Sequence, residues 1–126
     1  MIKFKSFIDE SFSKIDFKDT INLLTSEVIK KLFANFYKRK EKDINFWQNP
    51  SNPEDLRIYF KGDKKNYKNV SVEFWNKVKN DILKIYNKVK NEYEFEDDFL
   101  FDFLNEFDKK YKNDFLKKSE KFLKWF

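Results

Sequence analysis

Apolar residues recur three and four positions apart over most of this chain, the spacing of one helical face. Phe4, Phe7, Ile8, Phe12 and Ile15 fit one face of a first helix, and the polar stretch at 16–19 predicts a break after it. Ile21, Leu24, Val28, Ile29, Leu32, Phe33 and Phe36 then fit a second helix. Projected on a wheel they span about half the circumference. That helix should end near Lys40, in the segment Lys38-Arg39-Lys40-Glu41-Lys42, where cations suit the negative C-terminal end.

A third helix is predicted from Ser71, a plausible N-cap. Phe74, Val78, Ile82, Ile85, Tyr86, Val89 and Tyr93 lie on one stripe, which Trp75 joins and Leu83 does not. This stripe covers about 120°.

The block EFEDDFLFDFLNEFD, residues 94–108, holds seven carboxylates, five phenylalanines and no cation. Phe99, Leu100, Phe103, Leu104, Phe107 and Tyr111 share one side of a helix, and Asp98, Asp102 and Glu106 recur at four-residue spacing on the opposite side. Phe101 falls off the apolar stripe and Phe95 precedes it. Past Tyr111 the phase changes, because Phe115, Leu116, Ser119, Phe122, Leu123 and Phe126 centre elsewhere on the wheel. A break near Asn113-Asp114 accounts for this most simply; one curved helix over 97–126 is the alternative.

Residues 43–70 show no long period. Asn52-Pro53-Glu54-Asp55 reads as a helix start, with Asn52 as cap, Pro53 at the first helical position and acids in the first turn. Leu56, Tyr59 and Phe60 would be the buried side of a short helix, with a brief extended segment at 57–61 as the lesser alternative. Residues 61–69 (KGDKKNYKN) read as a basic loop. The expectation is an all-α, single-domain bundle over 1–126, with four to five helices and an irregular centre.

Composition agrees with few, long elements. There is one Gly and there are two Pro, too few turn residues for a sandwich or barrel. A chain of 126 residues buries roughly two thirds of its unfolded surface, and its 17 Phe, six Tyr and three Trp supply large apolar area. The absence of Cys and His excludes disulfides, zinc sites built on those residues, and Ser-His-Asp or Cys-His catalysis. No apolar run is long enough to span a membrane, and the start Met-Ile-Lys-Phe-Lys lacks the apolar core of a secretory leader. A soluble, cytoplasmic, non-enzymatic protein without cofactor is the expectation.

Charge is segregated. Residues 38–90 carry 14 cations and seven acids, residues 91–108 carry eight acids and no cation, and residues 109–126 carry seven Lys and two acids. The chain has 25 Lys and only two Arg, a bias of the kind A/T-rich codons produce.

Two surfaces follow. The first is a protein-docking face on the acidic-aromatic helix, made of Phe95, Phe101, Asp98, Asp102 and Glu106; exposed aromatics within a charged surface are frequent interface anchors. Carboxylates on one helix face do not by themselves close a metal site. The second is a nucleic-acid-binding patch of Lys38, Arg39, Lys40, Lys42, Lys61, Lys64, Lys65, Tyr67 and Lys68, extended by Lys77, Lys84 and Lys88 along the third helix. Cations follow a phosphate backbone, and an exposed aromatic stacks an unpaired base. The shortage of Arg argues against base-specific reading. The leading expectation is an adaptor, inhibitor or small assembly subunit with a protein partner. A sequence-nonspecific nucleic-acid binder is the alternative, and self-association is open to either.

Overall fold

The computed structural model describes the backbone over residues 2–89 and 99–124, and the side chains over 18–88 and 100–124. Phe95 and Asp98 of the docking face lie outside the described residues, as do Trp125 and Phe126.

The fold is not all-α. Helix α1 (Ile2–Phe36) leads through a 3-10 turn (Glu41–Asp43) into a sheet of strands β1 (Ile44–Asn49), β2 (Asn52–Phe60) and β3 (Lys68–Val70). Helix α2 (Val72–Val89) follows, then α3 (Phe99–Glu106), a π turn (Phe107–Tyr111) and α4 (Lys112–Leu123). The strands pair antiparallel in the order β1-β2-β3, which puts a meander in the centre that the sequence pattern marks as irregular.

The short helix anticipated at Asn52 is instead β2. The capping contact exists, since Asn52 Oδ1 accepts a hydrogen bond from the Glu54 amide at 3.2 Å, but extended chain follows it. A period of two decides the outcome. Leu56 and Ile58 are buried with Phe60 beyond them, while Arg57 and Tyr59 point the other way. In β1, Ile44 and Phe46 face the same side, set by the pairs Ile44↔Phe60, Phe46↔Ile58 and Gln48↔Leu56. The register slips between Gln48 and Asn49, so Pro53 sits where no regular ladder donor is required.

The break anticipated at 16–19 is also absent, because α1 runs through it for 35 residues. Nor does the chain break at Asn113-Asp114. Residues 99–123 are helical without interruption, so the described residues hold three helical rods and one sheet. The phase change comes from the π turn. A π turn holds about one residue more than an α turn, so it rotates every later side chain by roughly 100° relative to a straight helix. Phe103, Phe107, Phe115, Ser119 and Leu123 are all buried at multiples of four. In an uninterrupted α-helix that spacing drifts by about 40° per step; the extra residue returns the stripe to the core.

That core joins every layer. Leu24, Val28, Ile29 and Leu32 of α1 pack with Phe74, Val78 and Ile82 of α2, with Phe103, Phe107, Phe115 and Leu123, and with Ile44, Leu56, Ile58 and Val70 of the sheet. Phe107 meets Phe115 edge-on at 4.9 Å across the π turn, and Phe74 stacks on Phe122 at 4.9 Å. Phe46 stacks on Trp75, which ties β1 to α2. Helix α2 starts where the sequence places it, with Ser71 Oγ accepting from the Phe74 amide at 3.1 Å.

Candidate nucleic-acid interface

Two chain reversals build this surface. The first ends α1. The Arg39 amide donates to Ala34 O at 2.7 Å and the Lys38 amide to Asn35 O at 3.3 Å, the paired bonds of a Schellman cap. Lys38 occupies its left-handed position with φ 54°, where glycine is usual. The second follows β2. The Asp63 amide donates to Phe60 O at 3.0 Å around Gly62, whose φ of 85° suits a residue without Cβ. The Asn66 amide then returns to Asp63 O at 3.2 Å, and Asn66 Nδ2 donates to Asp63 Oδ1 at 2.9 Å.

Antiparallel pairing places both reversals at one end of the sheet, because Ile44 opens β1 opposite Phe60, which closes β2. A bond from the Lys61 amide to Asp43 O at 2.8 Å fastens them together. The pairing thus gathers Lys38, Arg39, Lys40 and Lys42 with Lys61, Lys64, Lys65 and Lys68. All eight are exposed, and none is ion-paired among the described residues. Their two segments hold eight cations against three acids, Glu41, Asp43 and Asp63. Glu41 is already engaged by Lys31 at 3.0 Å.

Between the reversals lies a cleft of about 230 Å³, lined by Phe33 and Tyr37 of α1, by Ile44, Ile58, Tyr59 and Phe60 of the sheet, and by Arg39, Asn66 and Lys68. Its α1 wall is held firmly: the Tyr37 hydroxyl donates to Leu123 O at 2.7 Å, and the Phe33 and Tyr37 rings stack at 6.3 Å. Phe60 is 40% exposed, and the Arg39 guanidinium carbon lies 5.2 Å from its ring centre.

Chain comparison adds no relative. Protein-family models, curated proteins and solved structures gave no match. The functional reading therefore rests on the geometry.

The sheet face turned away from the core carries a second cluster. Arg57 lies over Tyr67 at 4.3 Å and over Trp47 at 4.8 Å, and donates two hydrogen bonds of 3.0 Å to Asp55. Asn49 Nδ2 donates to the same carboxylate at 3.1 Å. The Arg57 bonds, and then the Asn49 bond, hold Asp55 below the usual carboxylate range, and the Asp55 bonds raise Arg57 in turn. Arg57 is thus committed inside the protein. Its contribution is to hold Tyr67, 39% exposed, at the border of the cationic loops.

The remaining lysines of the anticipated patch are not gathered by these pairings. Lys77, Lys84 and Lys88 lie along α2, Lys77 half-buried and the other two exposed. On the anticipated docking face, Phe101 is 66% exposed and Asp102 is exposed. Glu106 is half-buried and ion-paired to Lys110 at 3.2 Å, so it is not the freely solvated acid that the helical wheel suggests. Nearby, Lys31 bridges Asp108 and Glu41, each at 3.0 Å, joining the π turn to the 3-10 turn. Burial opposes its charge, but hydrogen bonds to Asp108 and Glu41 outweigh it, and its pKa stands above the ordinary lysine value. No group of metal-ligating side chains occurs among the described residues.

Sequence reasoning missed Phe33, Tyr37, Phe60 and Asn66 as parts of a site. The signal was available in the aromatic pairs beside each basic run, Phe36-Tyr37 before Lys38 and Tyr59-Phe60 before Lys61.

Proposed function

We propose that this protein is a non-enzymatic binder of single-stranded nucleic acid, acting through the sheet end without sequence specificity. One observation carries the reading: eight exposed cations, without ion-pair partners among the described residues, share one end of the sheet with two exposed aromatic rings, Phe60 toward the core-side face and Tyr67 on the opposite face against Arg57. Cations without internal partners release counterions when they meet phosphates, and half-exposed rings offer stacking faces that bases in a duplex cannot use. The one Arg in these loops and the committed state of Arg57 fit backbone contacts better than base-edge reading. The double substitution Lys64→Glu with Lys65→Glu tests it. Affinity for unrelated single strands should fall alike, by at least about tenfold. Unchanged affinity would overturn the reading.

A second reading has its own observation. Phe101 is the most exposed of the large apolar residues described, at 66%. An aromatic so placed beside Asp102 suits a protein partner or a second copy of this chain. Phe101→Ala should then leave melting unchanged and weaken self-association or capture of a partner. A lowered melting temperature would place Phe101 in the fold's own packing instead.

A further inference from the structure

We propose that the cleft between the end of α1 and the sheet seats one unstacked base of the bound strand, with Arg39 and Lys68 holding the flanking phosphate. This deepens the nucleic-acid reading and rests on it. The lining is mostly aromatic and aliphatic, from Phe33, Tyr37, Ile44, Ile58 and Phe60. Its volume of about 230 Å³ lies below the range of pockets that hold drug-sized ligands, and suits a single planar group rather than an extended one.

Three features favour a base attached to phosphate over a plain apolar group. Arg39 and Lys68 border the cleft and have no ion-pair partner among the described residues, so the rim is charged where the interior is not. Asn66 is fixed there through its amide nitrogen by Asp63, which leaves its carbonyl oxygen to accept from a base edge. The α1 wall is pre-ordered by the Tyr37 bond to Leu123 O and by the Phe33–Tyr37 stack, so little side-chain freedom is lost when the cleft fills. Phe60 is the most exposed of the apolar residues lining the cleft, and Arg39 lies over its ring. A base entering the cleft meets the Phe60 ring as its stacking surface.

The experiment compares a fluorescent single-stranded oligonucleotide with an abasic strand of equal length and charge, by anisotropy, on the full chain. For the wild type, removing the bases should weaken binding about tenfold, a typical stacking effect. For Phe60→Ala that ratio should shrink toward one, while affinity for the abasic strand stays as in the wild type. Phe60→Leu, which keeps apolar bulk without a ring, should behave like Phe60→Ala and separates loss of stacking from loss of fold. Equal wild-type affinity for both strands would overturn the base seat and leave the cationic surface standing. Failure of both strands to bind would overturn the base seat and the nucleic-acid reading together. A preserved ratio in Phe60→Ala would overturn the seat as well, by moving the stacking away from the cleft.

Discussion

The sheet end and the helical rod of residues 99–123 are both densely charged and both aromatic, yet they treat their charges differently. At the sheet end, eight cations stand in solvent without ion-pair partners among the described residues. Along the rod, Lys31 reaches Asp108 and Glu41, Glu106 meets Lys110, and Glu120 meets Lys124. The rod's charges without an ion pair among the described residues are of both signs: Asp102 and Asp114 with Lys109, Lys112, Lys117 and Lys118. The aromatics differ in the same sense. Phe103, Phe107 and Phe115 are buried in the rod's stripe, with Phe101 the exception, whereas Phe60 and Tyr67 are both left partly in water at the cationic end. Unpaired charge of one sign gathered at one place is available to a polyanionic ligand, whereas unpaired charge of both signs spread along a rod is not.

The largest effect should come from the rod. Phe107→Ala removes a fully buried ring at the start of the π turn and should cost about 3–5 kcal/mol. Phe101→Ala, on the same rod but facing solvent, should cost less than about 0.5 kcal/mol. Urea unfolding of the two variants checks the contrast, and similar costs would erase the distinction between the rod's two faces.

A smaller effect belongs to the loop. In Gly62→Ala the added Cβ would meet nothing within 4 Å, so only the φ of 85° is strained. The cost should be about 1 kcal/mol, and the surrounding cations are untouched. A changed salt dependence of binding in this variant would show that loop shape, not charge, governs the surface.

The smallest effect concerns Lys31. Its pKa is raised in the folded state, so its ion pairs stabilise fully below the unfolded value of 10.5 and lose that contribution as pH rises through the folded value. The loss should be about 1 kcal/mol or less, because both carboxylate partners are partly solvated. Comparing wild type with Lys31→Met from about pH 9 upward, a range that brackets ordinary lysine titration, isolates it from the other lysines. A wild type that loses no more stability than Lys31→Met would remove the bridge from the account.

Much of the helical part was legible. Of the stripes read on α1 beyond residue 20 and on α2, Ile21, Leu24, Val28, Ile29, Leu32, Phe33, Phe74, Trp75, Val78 and Ile82 are buried and Phe36, Ile85 and Tyr86 half-buried, while the Val89 side chain and Tyr93 lie outside the described residues. A three-and-four period sustained over several turns fits a helix and no strand. The sheet was not legible for a physical reason. Over five residues, Leu56, Tyr59 and Phe60 satisfy a helical period as well as Leu56, Ile58 and Phe60 satisfy a strand period. The Asn52-Pro53 signal then tips the balance toward a cap whose hydrogen bond forms without a helix. The phase change after Tyr111 was visible, but its cause was not, since a cap at Asn113 and a π turn shift a stripe alike. The loop half of the basic patch was legible as charge. Its convergence and its cleft were not, because both depend on the pairing of Ile44 with Phe60.

The central claim is that the cations of the sheet end meet phosphate. Binding of a labelled single strand at about 50 and 200 mM salt tests it most directly. Engagement of about four phosphates gives a log–log slope of about −3, and so a roughly fiftyfold loss of affinity across that range. Binding that is absent at the lower salt, or that does not change between the two, would contradict it.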